Sequence, residues 1–138
     1  MSKSIHKVMT ANPCAIDADK TVEYAAKMMR DEDVGFAPIV EGKRLIGTFT
    51  DRDLAVRVVA EGKDPRSTTV RDVASKQLVT IDPQQSLDEA LRLMATHQVR
   101  RLPVVEQDGS LLGVVAQADV AREAGASATG GLVEDISR

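Results

Sequence analysis

Apolar and polar positions succeed one another along this chain in a set order of spacings, and the order is run through twice. In the first half a short apolar pair, Val8-Met9, precedes a brief strand candidate, Cys14-Ala15-Ile16, which Asp17 ends. Val22, Ala25, Ala26, Met28 and Met29 then fall at the spacing that lines one face of a helix. Two apolar runs follow, Phe36-Ala37-Pro38-Ile39-Val40 and Leu45-Ile46-Gly47-Thr48-Phe49, divided by a polar turn, and such a pair reads as a β-hairpin. Leu54, Ala55, Val58 and Val59 return to helical spacing. The second half repeats each step. Val73-Ala74 is followed by a strand candidate from Leu78 to Ile81, which Asp82 ends, and by a helical stripe of Leu87, Ala90, Leu91, Leu93 and Met94. The runs Arg101 to Val105 and Leu111 to Val115 come next, then a last stripe of Val120, Ala121 and Ala124. Ser86 and Glu89 have capping-box spacing at the start of the first of these helices. Each half is predicted to be β-α-β-β-α.

The halves correspond residue for residue. A shift of 65 places Asp17 on Asp82, Ala25 on Ala90, Met29 on Met94, Pro38 on Pro103 and Val40 on Val105. One extra residue in the second hairpin turn, where an insertion does least harm, brings the shift to 66 and sets Gly47 on Gly113 and Asp53 on Asp119. In so small a sheet the helices share one face, and the expected cover for the other face is the second copy. The expected division is a first repeat with a short N-terminal lead over residues 1–62, an exposed linker containing Asp64-Pro65 over 63–69, and a second repeat over 70–124. A flexible tail over 125–138 completes it, in which Leu132, Val133 and Ile136 either dock on a neighbouring surface or stay disordered.

Composition narrows the function classes. With 138 residues, 43% hydrophobic and 28% charged, the chain can bury one substantial core or two tightly packed halves. A net charge of −3 and an aromatic content of 2% argue against a nucleic-acid or anionic-membrane partner, which needs clustered cations or stacking platforms. No apolar run approaches the ~18 residues of a membrane span. The opening MSKSIHKVMT lacks an apolar export segment, so a cytoplasmic protein is expected. The single cysteine, Cys14, makes no internal disulfide and reads as a small packed residue. His6 and His97 are too isolated for a metal motif, and the nucleophile-elbow, His-Glu-x-x-His and phosphate-loop patterns are all missing. Neither a metal site nor an enzyme is expected. Met28, Met29 and Met94 lie on helical stripes and read as core or dimer packing.

Two copies of this unit, each with a hydrophobic-Pro-hydrophobic-Val strand and then a glycine followed six residues later by aspartate, resemble the CBS-domain pair, also called the Bateman module. The match runs from about Ser4 to Ala124. Gly47-Thr-Phe-Thr-Asp-Arg-Asp53 fits the family's Gly-h-h-Thr/Ser-x-x-Asp signature completely, and Val99-Arg-Arg-Leu-Pro-Val-Val105 looks like its second-strand signature. The resemblance extends to free-standing two-repeat members associated with stress or signalling. It implies an α+β fold of two pseudo-twofold-related β-α-β-β-α repeats packed sheet to sheet as one module. It also implies a non-enzymatic regulatory sensor with no obligatory cofactor, in which AMP, ADP or ATP, or else S-adenosylmethionine or NAD(H), binds in clefts between the repeats. A homodimer is implied, with Met28, Val56 and Val59 as candidate contacts, and the protein target is left unidentified.

The residue chemistry can be set beside that. Thr50 places a hydroxyl where a strand turns into a helix, and free backbone N–H groups at such a terminus attract a phosphate. Asp53 offers two acceptor oxygens suited to the two ribose hydroxyls. Thr-x-x-Asp before an apolar helix is equally a capping pair, and the two readings are compatible. In the second repeat the signature is Gly113-Val-Val-Ala-Gln-Ala-Asp119, so Asp119 is kept while Ala116 has no hydroxyl, and unequal sites are expected, the better one using Thr50 and Asp53. Arg100 and Arg101 occupy positions where family members often carry basic residues. One of them is expected to reach a phosphate, because neighbours on a strand face opposite ways; the alternative is a pair of exposed charges. By resemblance, adenine lies against Ala15, Ile16, Ala37, Pro38 and Ile39, which are also ordinary core residues. Two rival readings remain, a dimerising scaffold without ligand binding and an enzyme acting on a nucleotide.

Overall fold

The computed structural model describes residues 4–11 and 13–124, so the apolar tail positions near 132–136 lie outside the described residues. The fold is α+β, in two compact units. The first takes residues 14–78. Its sheet has the order β2 (Ile16–Asp17), β3 (Phe36–Glu41), β4 (Arg44–Thr50), with β2 parallel and β4 antiparallel to β3. Helix α1 (Val22–Glu32) is the crossover between β2 and β3. After β4 comes α2 (Asp51–Asp53), which runs directly into a π-helical segment (Leu54–Val59) closed by the Ala60 N–H on the Ala55 carbonyl. Helix α3 (Val70–Val73) is the last helix of this unit, and Ser75 after it bridges to Thr48 of β4.

The second unit joins residues 79 onward to the N-terminal lead. Its sheet has the order β1 (Thr10–Ala11), β6 (Leu111–Ala116), β5 (Arg101–Val105), all antiparallel, with α4 (Leu87–His97) before β5 and α5 (Gln117–Ala124) after β6. Both hairpins and both leading helices stand where the hydrophobic spacing predicts them. The repeat persists in fine detail. The register slips between Ile39 and Val40 in one hairpin and between Val104 and Val105 in the other. Asp33 and Gln98, at matching positions, end the leading helices in the left-handed region with φ of 54° and 55°.

Two features depart from expectation. The first strands are much shorter than the apolar runs suggest: two residues in one unit, and a single parallel bridge, Ile81 to Val104, in the other. The chain also exchanges short segments between the repeats. Val70, Val73 and Ala74 open the second repeat in sequence yet lie at 0–5% exposure in the core built by Ile16, Val22, Ala37, Ile39 and Phe49. Ile5 belongs to the lead of the first repeat and is fully buried among Leu87, Leu91, Leu102 and Val115. In each case a short apolar stretch covers a hydrophobic surface that its own repeat leaves open. The expected linker is also tied down. Val22 N–H donates to the Thr68 carbonyl at 2.8 Å and Glu23 N–H to the Pro65 carbonyl at 2.9 Å, which satisfies donors at the start of α1 that no intrahelical acceptor can reach.

The glycines at matching positions 47 and 113 make the exchange possible. A Cβ on Gly47 would lie 2.9 Å from the Ser75 carbonyl oxygen, and one on Gly113 would lie 2.6 Å from the Thr10 carbonyl oxygen. Thr48 and Ser75 trade backbone hydrogen bonds at 2.9 Å each way, and Thr10 and Ala11 pair with Val114 and Gly113. The glycine of the signature is required by this close approach of backbone to sheet.

Candidate functional site

Thr50 leaves β4 extended, at φ −124° and ψ 168°, so its side chain folds back over the first turn of α2. Its Oγ1 accepts a hydrogen bond from the Asp53 N–H at 3.2 Å and donates one to Asp53 Oδ2 at 3.2 Å. Asp53 Oδ2 also accepts from the Thr50 N–H at 3.0 Å. This is a complete capping box, so the capping reading of Thr50-x-x-Asp53 is present in the structure. Asp53 Oδ1 points elsewhere, toward Arg57 Nε at 3.5 Å, and the Asp53 side chain is only 14% exposed.

Two of the backbone donors at this terminus are already taken. Asp51 N–H is spent on the Gly35 carbonyl at 3.1 Å and Asp53 N–H on Thr50, and the carboxylates of Asp51 and Asp53 both sit in this turn. An incoming phosphate would meet two negative charges and two occupied donors, which corrects the expectation of free N–H groups here. A cavity of about 400 Å³ adjoins the turn, bounded by Met29, Arg30, Asp33, Gly35 and Leu54, and reaches it only through Asp51.

The second unit makes the same turn with different chemistry. Gln117 N–H donates to the Arg100 carbonyl at 2.8 Å, as Asp51 does to Gly35. Ala116 supplies no cap, and the Asp119 carboxylate pairs instead with Arg122 one turn along α5, with its side chain 36% exposed. Arg101 opens β5 opposite Ala116, and both Arg100 and Arg101 are exposed. The structure therefore gathers Thr50 and Asp53 in one unit, and Arg100, Arg101 and Asp119 in the other.

Of the adenine-wall candidates, Ile16 is 1% exposed and Ala37 and Ile39 are fully buried in the core of their unit. Their side chains are committed to packing, and a ligand there would meet their backbone. Ala15 is exposed just before β2, and Pro38, paired with Thr48, is buried. Cys14 is exposed, contrary to the packed residue expected, and its thiol pKa is raised first by partial desolvation and then by the Glu32 carboxylate, whose charge and hydrogen bond favour the neutral form. His6 and His97 are exposed, and among the described residues no group of three metal-binding side chains converges. No described helix is long and apolar enough to cross a membrane.

Arg57 is the site residue that the sequence reading passes over. Its guanidinium joins Asp53 to the carbonyl oxygens of Val73, at 3.5 Å, and Ala74, at 3.4 Å. The four-residue spacing from Asp53 is a visible signal for an acid-base pair on a helix. The second half of the contact depends on the exchanged segment, for which local spacing holds no sign.

With this geometry in place, three comparisons bear on it. The model of the CBS domain matches the chain twice, over residues 5–60 and 70–125. The CBS domain-containing protein YhcV of Bacillus subtilis (strain 168) is 42% identical over 118 residues, covering 86% of this chain and 83% of that protein. Hypoxic response protein 1 of Mycobacterium tuberculosis is 37% identical over 116 residues, 83% of this chain and 80% of that one. A crystal structure of Hypoxic Response Protein I with two coordinated zinc ions superposes with a TM-score of 0.80 at 36% identity, over 87% of this chain and 98% of that one. A crystal structure of CBSX2 in complex with AMP gives a TM-score of 0.77 at 24% identity, over 88% and 95% of the two chains, a likeness of fold.

Proposed function

Because this chain belongs to the CBS-domain family, with one domain in each half, we propose that it is a non-enzymatic regulatory module that takes an adenosine-containing ligand through Thr50 and Asp53. The observation that carries the reading is the state of the Asp53 carboxylate. The turn fills Oδ2 and leaves Oδ1 against a single long contact with Arg57, so one oriented acceptor oxygen remains for a ribose hydroxyl. Ala15 supplies exposed apolar surface for the base, and the buried Pro38 backs it on β3. In the other unit Asp119, without a hydroxyl beside it, makes the weaker site, where Arg100 or Arg101 supplies the charge for a phosphate. AMP, ADP and ATP are the leading ligands.

The two carboxylates of Asp51 and Asp53 favour a second reading. They suit a ligand whose group beside the ribose is a cation, as in the sulfonium of S-adenosylmethionine, over one with several phosphates. NAD(H) shares the same ribose chemistry. Val59 and Val56, 70% and 48% exposed on the π-helical segment, support a homodimer through this helical face together with Met28.

Titration calorimetry with AMP, ATP, S-adenosylmethionine and NADH against the wild type and Asp53→Ala tests the proposal. Binding of one ligand at about one per chain, lost in the variant, is the expected result. No heat from any of the four at millimolar concentration would leave a dimerising scaffold as the better reading.

A further inference from the structure

We propose that Arg57 is a positioning residue that couples occupancy of Asp53 to the hold on residues 73–75, and this rests on the ligand reading above. The lone pairs of the Asp53 carboxylate set the terms. Oδ2 already accepts from the Thr50 N–H and the Thr50 hydroxyl, so a ribose hydroxyl that engages Asp53 must do so at Oδ1. Arg57 Nε stands 3.5 Å from that oxygen. The ligand therefore competes with, or re-aims, the guanidinium. Nε and Nη1 belong to one rigid plane, so a guanidinium that leaves Oδ1 cannot keep Nη1 where it is. Nη1 is the atom that donates to the carbonyl oxygens of Val73 and Ala74. The Arg57 side chain is 50% exposed, which gives it solvent to swing into.

Residues 73–75 are a sensitive place to pull. Val73 and Ala74 fill the core of the unit, Ser75 exchanges two backbone hydrogen bonds with Thr48, and the bare Gly47 lets the Ser75 carbonyl lie against β4. Four residues after Ser75, at Val79, the chain enters the other compact unit. A ligand at Asp53 is thus read out as a loosening of the stretch just before the chain leaves this unit. The π-helical segment places Arg57 one turn beyond Asp53 on the side facing α3.

Amide hydrogen exchange at Thr48 and Ser75 tests this, in the wild type, Arg57→Ala and Arg57→Lys, each with and without saturating AMP or S-adenosylmethionine, and with binding read separately by calorimetry. Without ligand, Arg57→Ala exchanges these amides about two- to tenfold faster than wild type, the effect of losing one modest hydrogen-bonded hold. Ligand accelerates them in the wild type and adds nothing in Arg57→Ala at a concentration that calorimetry shows to saturate that variant. Arg57→Lys keeps the charge but lacks the fork and falls between. Equal ligand-free exchange in wild type and Arg57→Ala overturns the proposal. So does a wild-type protein that binds ligand with no change at Thr48 and Ser75, a result that leaves the ligand reading intact. Absence of binding in the wild type overturns the ligand reading and the coupling with it.

Discussion

Gly113→Ala is the sharpest test of the segment exchange. An added methyl would sit 2.6 Å from the Thr10 carbonyl oxygen and 2.9 Å from the Met9 sulfur. The sulfur ends a flexible side chain and can move aside. The carbonyl belongs to β1, whose two residues pair with Val114 and Gly113 across β6, and it can yield only by lifting that strand. Overpacking of this kind costs about 1–3 kcal/mol. Against it stands the gain from a less flexible unfolded chain, about 0.4–1 kcal/mol for Gly→Ala where nothing clashes. The balance is a loss of about 1–2 kcal/mol, read as a lower urea midpoint at unchanged slope. The strain also has an address. Exchange of the amides bonded between β1 and β6 accelerates more than that of the amides between β5 and β6. A neutral or stabilised variant would refute the claim that backbone approach requires this glycine, since ordinary alanine substitution in a strand helps.

Three further outcomes follow from the site and its surroundings. Thr50→Ala removes an N-cap and its hydroxyl-carboxylate bond at a partly buried turn and costs about 1–2 kcal/mol by urea denaturation, while Thr50→Ser recovers most of it; equal stability of Thr50→Ala and wild type would count against the capping box. Hydrogen bonds from Arg66 and Arg92 depress the folded pKa values of Asp64 and Glu89, so their contributions are complete above about pH 5, beyond the ordinary unfolded values, and are lost as the pH falls through the folded ones; Glu89→Gln should flatten the fall in urea midpoint below pH 5, and an unaltered acid slope would contradict that assignment. Glu32→Gln lowers the raised Cys14 pKa only part of the way, because desolvation is the larger cause, and so quickens iodoacetamide alkylation at pH 8; an unchanged rate would remove Glu32 from the account.

Local periodicity carried the helices and hairpins because each is built from contacts a few residues apart. The stripe Leu87, Ala90, Leu91, Met94 is buried along its whole length in α4, and Pro38 and Pro103 sit at matching strand positions. The short strands were harder to read. Leu78 to Ile81 has the composition of a strand, yet pairing reaches only Ile81, whose N–H donates to the Pro103 carbonyl and whose carbonyl accepts from the Val105 N–H. The exchange of residues 5–11 and 70–75 was hidden for a different reason. Burial of Ile5 beside Leu87, and of Val73 beside Phe49, is decided by which open hydrophobic surface each segment covers, and no spacing within a segment records that choice.

The same division explains what was visible of the site. Thr50 and Asp53 could be marked because a cap and its partner are three residues apart, and Ala116 marks the second turn as chemically different, where the Asp119 carboxylate pairs with Arg122. The filled donors at the helix start were not visible, since the Asp51 N–H finds its acceptor at Gly35 only once the hairpin closes. Nor was the second role of Arg57, whose acceptors lie in the exchanged segment sixteen and seventeen residues on. What decides how this turn works is thus the meeting of a local motif with a non-local strap. The motif orients Asp53, the strap gives Arg57 something to hold, and the one carboxylate oxygen between them is where a ligand would have to intervene.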